Sequence, residues 1–395
     1  MAVEALPKFT VIIPTRARAD VLPAALRTVV AQDYENLEIL VSDNFSEDGT
    51  ADIVHALNDP RIRYINTGRR LSMSHNWEFA LSHVDGGWVT FLGDDDGLMP
   101  GAIAKVVEMA RDASVSAIRS ATCKYRWPAA DGKGGRLAIP TRRGTELRDS
   151  DEWLQRAMAG NASYMDLPML YTGGFADIRV MHEIKAKMGM FFSSCNPDVY
   201  SGIAIASVTK NYLYSRYPMA IAGISRHSTG TSHFSRPENK LEMSPAQRFI
   251  SENNIPFHPD IPVCRDGITP RSVQVTLLES YLQSLPLRSQ VPKYLHAQQL
   301  IIVASDSSSR DEDLKTWMED FSIKHGLPLK STLRRGMVRR IFRRLIGAPG
   351  RISRRLKTTT LRSPKHDIPD VYLASIAAAN HLNICGGDTW ENKPS

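Results

Sequence analysis

The stretch that decides the fold is Trp88-Val-Thr-Phe-Leu-Gly-Asp-Asp-Asp-Gly97, a short apolar run that ends in three consecutive aspartates. Three further strands of this kind are predicted earlier in the chain: Phe9-Thr-Val-Ile-Ile13, Leu37-Glu-Ile-Leu-Val41 and Ile62-Arg-Tyr-Ile65. Helical spacing of apolar residues follows each of the four strands, in segments 20–32, 53–57, 72–84 and 101–111. Strands that alternate with helices of this length predict parallel β-α-β units, and therefore an α/β fold with a doubly wound sheet.

Open parallel sheets bind ligands just beyond the carboxyl ends of their strands. In this chain those ends carry Pro14-Thr-Arg16, Ser42-Asp-Asn44 and Asp94-Asp-Asp96. The sequence therefore predicts a polar cleft with carboxylates from separate strands. Three adjacent carboxylates repel one another unless a cation or solvent compensates them, and hard oxygen ligands suit Mg²⁺ or Mn²⁺. The alternative is a solvated acidic turn, and Asp43 with Asn44 equally fits a turn.

Several classes of protein are disfavoured by what the sequence lacks. It contains neither GxGxxG nor GxxxxGK[ST], which disfavours a dinucleotide oxidoreductase and a P-loop ATPase or GTPase. Its four cysteines form no CxxC pair, so a zinc ribbon and a thioredoxin motif are disfavoured, and a reducing compartment is expected. The first residues do not resemble a signal peptide, and no apolar run approaches the ~20 residues of a spanning helix. We therefore expect a cytoplasmic protein.

Three motifs in the correct order resemble the family 2 glycosyltransferases of GT-A fold. They are Thr10-Val-Ile-Ile-Pro-Thr-Arg16, the run from Gln32 to Asn44 with Ser46-Glu-Asp-Gly-Thr50, and the run from Gly87 to Gly101 around the aspartates. The resemblance covers about residues 8–235. One departure is Gly93, which stands where the usual Asp-x-Asp-Asp motif has its first aspartate.

The resemblance implies a nucleotide-sugar donor, most simply a UDP-sugar, and inverting transfer of the sugar to an acceptor hydroxyl. The residues that it implies for the nucleotide pocket are Pro14, Thr15, Arg16, Asp43, Asn76 and Asp94. A divalent cation, Mn²⁺ or Mg²⁺, is implied on the donor diphosphate, with Asp95 and Asp96 as its protein ligands. His227 matches a late histidine that some members supply as a further ligand, and His233 is the alternative.

An inverting transferase also needs a base for the acceptor hydroxyl. Gly173 and Gly174 resemble the glycine-containing donor and acceptor loop of the family, and Asp198 follows at the position of the family's carboxylate. Asp198 is therefore the candidate base. It equally fits the first turn of a helix predicted from Val199 to Val208, and the two roles are compatible.

A basic segment explains the net charge of +7. Residues 330–357 contain 11 Lys and Arg residues and no Asp or Glu, and removing those 11 charges leaves −4 for the rest of the chain. On a helical wheel one face is apolar and the other is rich in arginine. The apolar face carries Leu333, Met337, Val338, Ile341, Phe342, Leu345 and Ile346. The other face carries Arg335, Arg339, Arg340, Arg343 and Arg344. A basic amphipathic helix suits an anionic membrane surface.

Two alternatives to membrane binding stay open for this segment. The helix could pack its apolar face on the body and leave its arginines in solvent. RNA binding ranks last, because no RRM, KH or zinc pattern accompanies the charges, and no nucleic-acid partner is expected. Gly347-Ala-Pro-Gly350 is expected to break the segment.

Together these observations predict four regions. Residues 1–238 form the GT-A domain, 239–330 a helical region, 331–357 the basic segment, and 358–395 a tail of uncertain structure. The predicted function is metal-dependent inverting transfer of a sugar to a glycan or lipid-linked glycan in surface polysaccharide synthesis, by an enzyme peripheral to the inner face of the plasma membrane. The alternatives are another nucleotide-sugar enzyme, such as a nucleotidyltransferase, and a non-catalytic membrane adaptor with a transferase-like domain.

Overall fold

The first hundred residues of the computed structural model alternate strands with helices, which confirms the predicted β-α-β pattern. The strands are β1 (Phe9–Thr15), β2 (Leu37–Asp43), β3 (Ile62–Asn66) and β4 (Trp88–Phe91). The helices that follow them are α1 (Leu22–Val30), α2 (Thr50–Ala56), α3 (Met73–Leu81) and α4 (Ala102–Ala113). The structure describes residues 6–128, 135–226, 252, 254–263, 272–288, 292–306, 312–356, 358–362 and 368–383.

The middle of the chain adds strands to the same sheet and three helices. Its strands are β5 (Gly97–Leu98), β6 (Ala117–Arg126), β7 (Arg136–Pro140), β8 (Thr145–Asp149), β9 (Gly174–Asp177) and β10 (Asn211–Ile224). Its helices are α5 (Ser150–Met158), α6 (Ile178–Met188) and α7 (Pro197–Val208), with a 3₁₀ turn at Tyr164–Asp166. The helix predicted from Val199 to Val208 is thus confirmed, two residues longer at its start.

The C-terminal part is mainly helical, as predicted. It contains α8 (Val273–Gln283), a 3₁₀ turn at Leu285–Leu287, α9 (Leu295–Asp306), α10 (Glu312–Lys324), α11 (Leu329–Leu356), β11 (Thr358–Arg362) and α12 (Val371–His381). The predicted break at residues 347–350 is wrong, because α11 continues through them to Leu356. Pro and Gly weaken or kink a helix, but they do not necessarily end it.

One mixed sheet organises the N-terminal and middle parts. Its order is β11-β7-β6-β9-β4-β1-β2-β3, and β10 pairs with β5, β6 and β8. The strands β3, β2, β1 and β4 are parallel to their neighbours within this group, which confirms the predicted parallel sheet. Beyond β4, the pairs β4–β9, β9–β6, β6–β7 and β7–β11 are antiparallel.

Successive residues of a strand point to opposite faces of the sheet. Helices pack on both faces, so side chains on both faces are buried. In β1, Phe9, Val11 and Ile13 belong to one apolar cluster, which also contains residues of α1, α4 and α12. Ile12 belongs to a second cluster with residues of α3, α6 and α7. A third cluster joins α5 and α7 to the C-terminal helices α8, α9 and α10.

The tail returns to the N-terminal sheet. Strand β11 pairs antiparallel with β7, and the Tyr125 hydroxyl of β6 donates a hydrogen bond to the Ile368 carbonyl at 2.7 Å. Val371 and Ala378 of α12 are buried in the cluster that contains Phe9. The sheet and its covering layer are therefore complete only when β11 and residues 368–383 are in place.

We found no segment suited to crossing a bilayer among the helices within the described residues, since none of them is both long and apolar enough.

Gly174 is expected to be essential for the fold at the start of β9. A Cβ atom at this position would lie 1.5 Å from the Met169 carbonyl oxygen, whereas one at Gly86 would meet nothing within 4 Å. We expect Gly174→Ala to lower the free energy of unfolding by about 3 kcal/mol, and Gly86→Ala to change it by less than ~0.5 kcal/mol. Urea denaturation followed by circular dichroism measures both. Equal unfolding midpoints for the two variants would contradict this expectation.

Candidate active site

The three aspartates lie at the carboxyl edge of the parallel strands. Strand β4 ends at Phe91, and Leu92 still donates its backbone N–H to the Ile12 carbonyl of β1 at 2.9 Å. The chain then turns through Gly93, and the side chains that follow are buried: Asp94 is 4% exposed, Asp95 5% and Asp96 2%. Such burial excludes the alternative of a solvated acidic turn.

Asp94 is held by the loop that follows β1. The Thr15 hydroxyl donates to its Oδ2 at 3.0 Å, and Nη1 of Arg18 donates to its Oδ1 at 2.7 Å. Burial raises the pKa of Asp94, and repulsion from Asp95 adds to this, although the Arg18 charge opposes it. Burial lowers the pKa of Arg18, but the charges of Asp94 and Asp95 outweigh that effect and raise it. Arg18 thus supplies a positive charge directly beside the aspartates.

Asp95 contacts the end of β10. The Ser225 hydroxyl donates to its Oδ2 at 2.6 Å, and the Ser225 backbone N–H donates to the same atom at 3.3 Å. The Asp95 carbonyl accepts a hydrogen bond from Nε1 of Trp127 at 2.9 Å. Gly223 packs so closely that a Cβ atom there would lie 1.8 Å from this carbonyl oxygen. The chain near Asp95 is therefore held by Trp127, 32 positions later, and by Ser225, 130 positions later.

Asp96 accepts hydrogen bonds on both carboxyl oxygens. The Thr172 hydroxyl and the Gly93 backbone N–H donate to Oδ2, and the Gly223 backbone N–H donates to Oδ1 at 2.6 Å. A Cβ atom at Gly93 would lie 2.6 Å both from Asp96 Oδ2 and from the Tyr171 hydroxyl. This crowding explains why glycine stands at a position where the usual motif has aspartate.

Charge repulsion is concentrated in this turn. Burial raises the pKa of Asp96 to about 7, with a further contribution from the Asp95 charge, against the hydrogen bonds from Thr172 and Gly223. Burial raises the pKa of Tyr171 well above its ordinary value, and Asp96, Asp95, Asp94 and Asp198 all add to it. The charge of Asp198 therefore acts on the same buried tyrosine as the charges of the three aspartates.

Asp198 lies in the first turn of α7, after Asn196 and Pro197. Burial raises its pKa, while a hydrogen bond from the Val199 backbone N–H and the charge of Arg119 oppose the rise. The predicted role at the start of the helix is therefore seen directly. A carboxylate is also favoured at this position by the helix dipole.

A buried arginine binds backbone carbonyls of the loop that precedes β9. Arg119 donates from Nε to the Met165 carbonyl at 2.9 Å and from Nη1 to the carbonyls of Tyr171 at 2.8 Å and Thr172 at 3.0 Å. Gly173 has a φ of +88°, and its carbonyl accepts hydrogen bonds from the Ser120 backbone and side chain. Gly173 and Gly174 thus place Tyr171 and Thr172 over the aspartates.

The other residues predicted for the nucleotide pocket lie along the same edge of the sheet. Pro14 and Thr15 of β1 pair in register with Ser42 and Asp43 of β2. The Ser42 hydroxyl donates to Oδ1 of the buried Asn76 side chain at 2.9 Å, which ties α3 to this edge.

Asp43 and Arg16 already have partners in the protein. Asp43 accepts hydrogen bonds from Ser46, Tyr64 and Asn66, so the turn role left open by the sequence is observed. Nη1 and Nη2 of Arg16 bind the two carboxyl oxygens of Glu252 at 2.8 and 2.7 Å.

His227 and its alternative His233 lie outside the described residues. Within the residues that are described, no three His, Cys, Asp or Glu side chains are arranged to hold a metal ion. The chemistry of the buried carboxylates nevertheless fits a hard divalent cation, since burial and, after it, the charge of Asp95 raise the pKa of Asp94 and Asp96.

Sequence reasoning missed several residues that hold the site. They are Arg18, Arg119, Tyr171, Thr172, Gly223, Ser225 and Glu279. Only Arg18 had a visible signal, because it lies two residues after Arg16 in the loop that follows β1. Tyr171 and Thr172 directly precede Gly173, and the others come from β6, from the end of β10 and from helix α8, where the sequence carries no recognisable motif.

Glu279 of α8 supports the segment that leads to Asp198. Its carboxyl Oε2 accepts a hydrogen bond from the Ser194 hydroxyl at 2.5 Å, and the Ser194 carbonyl accepts one from Ser74 of α3 at 2.6 Å. The Ser194 hydroxyl also accepts from the Asn196 backbone N–H at 3.3 Å. The helical region is thereby connected to the turn that positions Asp198.

Comparison with known proteins identifies the domain that carries the three aspartates. Residues 10–153 match the model of glycosyl transferase family 2. These residues form a family 2 glycosyltransferase domain.

Curated relatives of this glycosyltransferase domain come from bacterial glycan biosynthesis. A Campylobacter jejuni protein named GalNAc(5)-diNAcBac-PP-undecaprenol beta-1,3-glucosyltransferase is 37% identical over 110 residues, which is 27% of this chain and 36% of that protein. An Escherichia coli protein, UDP-Glc:alpha-D-GlcNAc-diphosphoundecaprenol beta-1,3-glucosyltransferase WfaP, is 30% identical over 87 residues, 22% of this chain and 35% of the relative. The chain therefore spans only 36% and 35% of the lengths of these two relatives.

A weak likeness to a solved structure extends beyond the glycosyltransferase domain. The crystal structure of S. aureus TarS 1–349 in complex with UDP-GlcNAc aligns with a TM-score of 0.47 and 13% identity. The alignment covers 83% of this chain and 89% of that one.

The free energy of unfolding is expected to depend on pH through Glu279. Burial raises its pKa from 4.5 to about 7, so its contribution to stability is fully present below about pH 4.5 and is lost as the pH rises through about 7. Between about pH 5 and about pH 7, we expect the free energy of unfolding of the native protein to fall by about 2 kcal/mol more than that of Glu279→Gln.

Urea denaturation across this pH range measures the difference. Glu312→Gln is the control, because this side chain is 79% exposed, and its profile should match that of the native protein. Parallel profiles for the native protein and Glu279→Gln would show that Glu279 does not retain its proton on folding.

Proposed function

We propose that the protein is a metal-dependent inverting glycosyltransferase. It transfers a sugar from a nucleotide-sugar donor, a UDP-sugar, to an acceptor hydroxyl on a glycan or lipid-linked glycan in surface polysaccharide synthesis. The observation that carries the proposal is that three consecutive aspartates lie buried at the carboxyl edge of the parallel strands, where Thr15 and Arg18 bind Asp94. The names of the Campylobacter and E. coli relatives support an undecaprenol-linked acceptor, and the latter name supports UDP-Glc as donor.

The donor nucleotide would bind along the carboxyl edge of β1, β2 and β4. Pro14, Thr15, Asp43, Asn76 and Asp94 lie on or next to this edge. Arg16 is paired with Glu252, so a donor phosphate has to displace that carboxylate to reach the guanidinium.

Asp95 and Asp96 would hold the divalent cation, with His227 as the further ligand predicted from the sequence. When bound, Mn²⁺ or Mg²⁺ neutralises negative charge that develops on the leaving nucleoside diphosphate. Arg18, which pairs with Asp94, adds a second positive charge at the same edge.

Asp198 would act as the base. It accepts the proton of the acceptor hydroxyl while that oxygen forms a bond to the anomeric carbon, and the bond from this carbon to the donor diphosphate breaks. Its raised pKa makes the carboxylate a stronger base than an exposed aspartate. The rate should therefore rise with pH as Asp198 loses its proton.

A lipid-linked acceptor would bring the protein to an anionic membrane surface, which we place at the cytoplasmic face of the plasma membrane. Residues 331–357 would make the contact, since they carry a dense positive charge without any acidic residue.

Two substitutions separate donor binding from proton transfer. We expect Asp198→Asn to lower the transfer rate by roughly 10²–10⁴-fold while Mn²⁺-dependent binding of UDP-sugar is retained, because only the base is lost. Asp95→Asn should weaken the Mn²⁺-dependent binding itself. Thermal stabilisation by a panel of sugar nucleotides measures binding, and release of UDP measures turnover.

Asp112→Asn is the matched control, because this aspartate lies on α4 with its side chain 61% exposed and pairs with Arg111. It should leave both measurements unchanged. If no sugar nucleotide stabilises the native protein with Mn²⁺ or Mg²⁺ present, and none is turned over, the proposed function is wrong.

A further inference from the structure

Helix α11 turns its apolar side outward. Six side chains spaced to lie on one side of the helix are 40–68% exposed, and we call them the apolar stripe: Leu333, Met337, Val338, Ile341, Phe342 and Leu345. The alternative in which this helix packs its apolar face on the body is therefore wrong for these residues. A contiguous exposed apolar surface of this kind marks an interaction site.

Arginines hold the opposite side of the helix against the body. Arg340 donates from Nε to the Ser305 carbonyl at 2.7 Å and from Nη2 to the Ala304 carbonyl at 3.0 Å. Nη1 of Arg343 binds Asp306 at 2.9 Å, and Nη2 of Arg339 donates to the Ala159 carbonyl. These contacts fix the rotation of α11 about its axis.

The C-terminus of α9 explains why arginines are bound here rather than apolar side chains. Helix α9 ends at Asp306, and the last carbonyls of a helix lack partners within it. Guanidinium groups satisfy such carbonyls and favour the negative end of the helix dipole. Gly336 allows the close approach, since a Cβ atom there would lie 2.7 Å from the Cβ of Ala304.

The charges around the apolar stripe indicate what covers it. Lys330, Arg334 and Arg335 are exposed near its start, and the chain has no acidic residue from 330 to 357. A second copy of the chain on this face would bring two sets of 11 positive charges together, which repulsion opposes. An anionic lipid surface offers both an apolar layer and negative charge.

We propose that the apolar stripe inserts into the boundary between headgroups and acyl chains of an anionic bilayer, while Arg340 and Arg343 attach α11 to α9 and Arg339 attaches it to the end of α5. This deepens the proposed function, because it gives the membrane contact a defined face and a fixed orientation relative to the body. The lipid-facing groups are the six apolar side chains, with Lys330, Arg334 and Arg335 beside the phosphates.

Vesicle sedimentation with the full chain tests the proposal. The double variant Ile341→Ser with Phe342→Ser should bind vesicles of phosphatidylethanolamine and phosphatidylglycerol roughly tenfold more weakly than the native protein, since it removes two inserting side chains. Leu147→Ser is the control, because Leu147 is an exposed apolar residue on β8 and should not affect binding. Phosphatidylcholine vesicles should bind the native protein more weakly than the anionic ones.

Unchanged vesicle binding by the double variant would overturn the proposal. So would a change from dimer to monomer in light scattering without any loss of vesicle binding, since a second copy would then cover the stripe. The Asp95→Asn variant separates this proposal from the proposed function: it should bind vesicles as the native protein does. Vesicle binding without any sugar transfer would reject the enzyme assignment alone, and transfer to a water-soluble acceptor without vesicle binding would reject the membrane contact alone.

Discussion

Asp94, Asp95 and Asp96 are buried side by side, and a buried carboxylate without partners costs about several kcal/mol. Their hydrogen-bond donors come from the loop after β1, the loop before β9 and the end of β10, which are far apart in sequence. The turn after β4 therefore cannot reach its observed conformation until these three segments have met. Gly93, Gly174 and Gly223 allow the close backbone approaches that this meeting requires.

The same arrangement connects the sheet to the helical region. The Thr172 hydroxyl binds Asp96, and Arg119 holds the carbonyls of Tyr171 and Thr172. On the far side of Asp198, Glu279 binds Ser194, so α8 helps to hold the start of α7. The conformation of the three aspartates and the position of Asp198 thus depend on contacts between the sheet edge, the loop before β9 and α8.

The spacing of apolar residues was sufficient to predict β1 to β4 and the parallel sheet. Strands β1, β2 and β4 are short and almost wholly buried, and β3 keeps two isoleucines and a tyrosine within five residues although it is only partly buried. The motif around the aspartates was sufficient to place the site at the sheet edge. The contacts of Gly223 and Ser225 with the aspartates were not predictable, since these residues are far from the motif in sequence and approach it only when the chain is folded. Periodicity also correctly indicated that α11 is amphipathic, but it cannot reveal which side packs inward; here the C-terminal carbonyls of α9 attract arginines more effectively than apolar groups.

The return of β11 and α12 to the first sheet affects the order in which the chain can fold during synthesis. The cluster around Phe9 includes Val371 and Ala378. Strand β1 therefore cannot complete its packing until α12 has been synthesised. Until then, the face of the sheet that α12 later covers remains exposed to solvent and to other nascent chains. Contacts between residues so distant in sequence also slow folding, because a long loop must close before they form. The nascent chain therefore has a long period in which a chaperone or a membrane surface can bind its unprotected sheet.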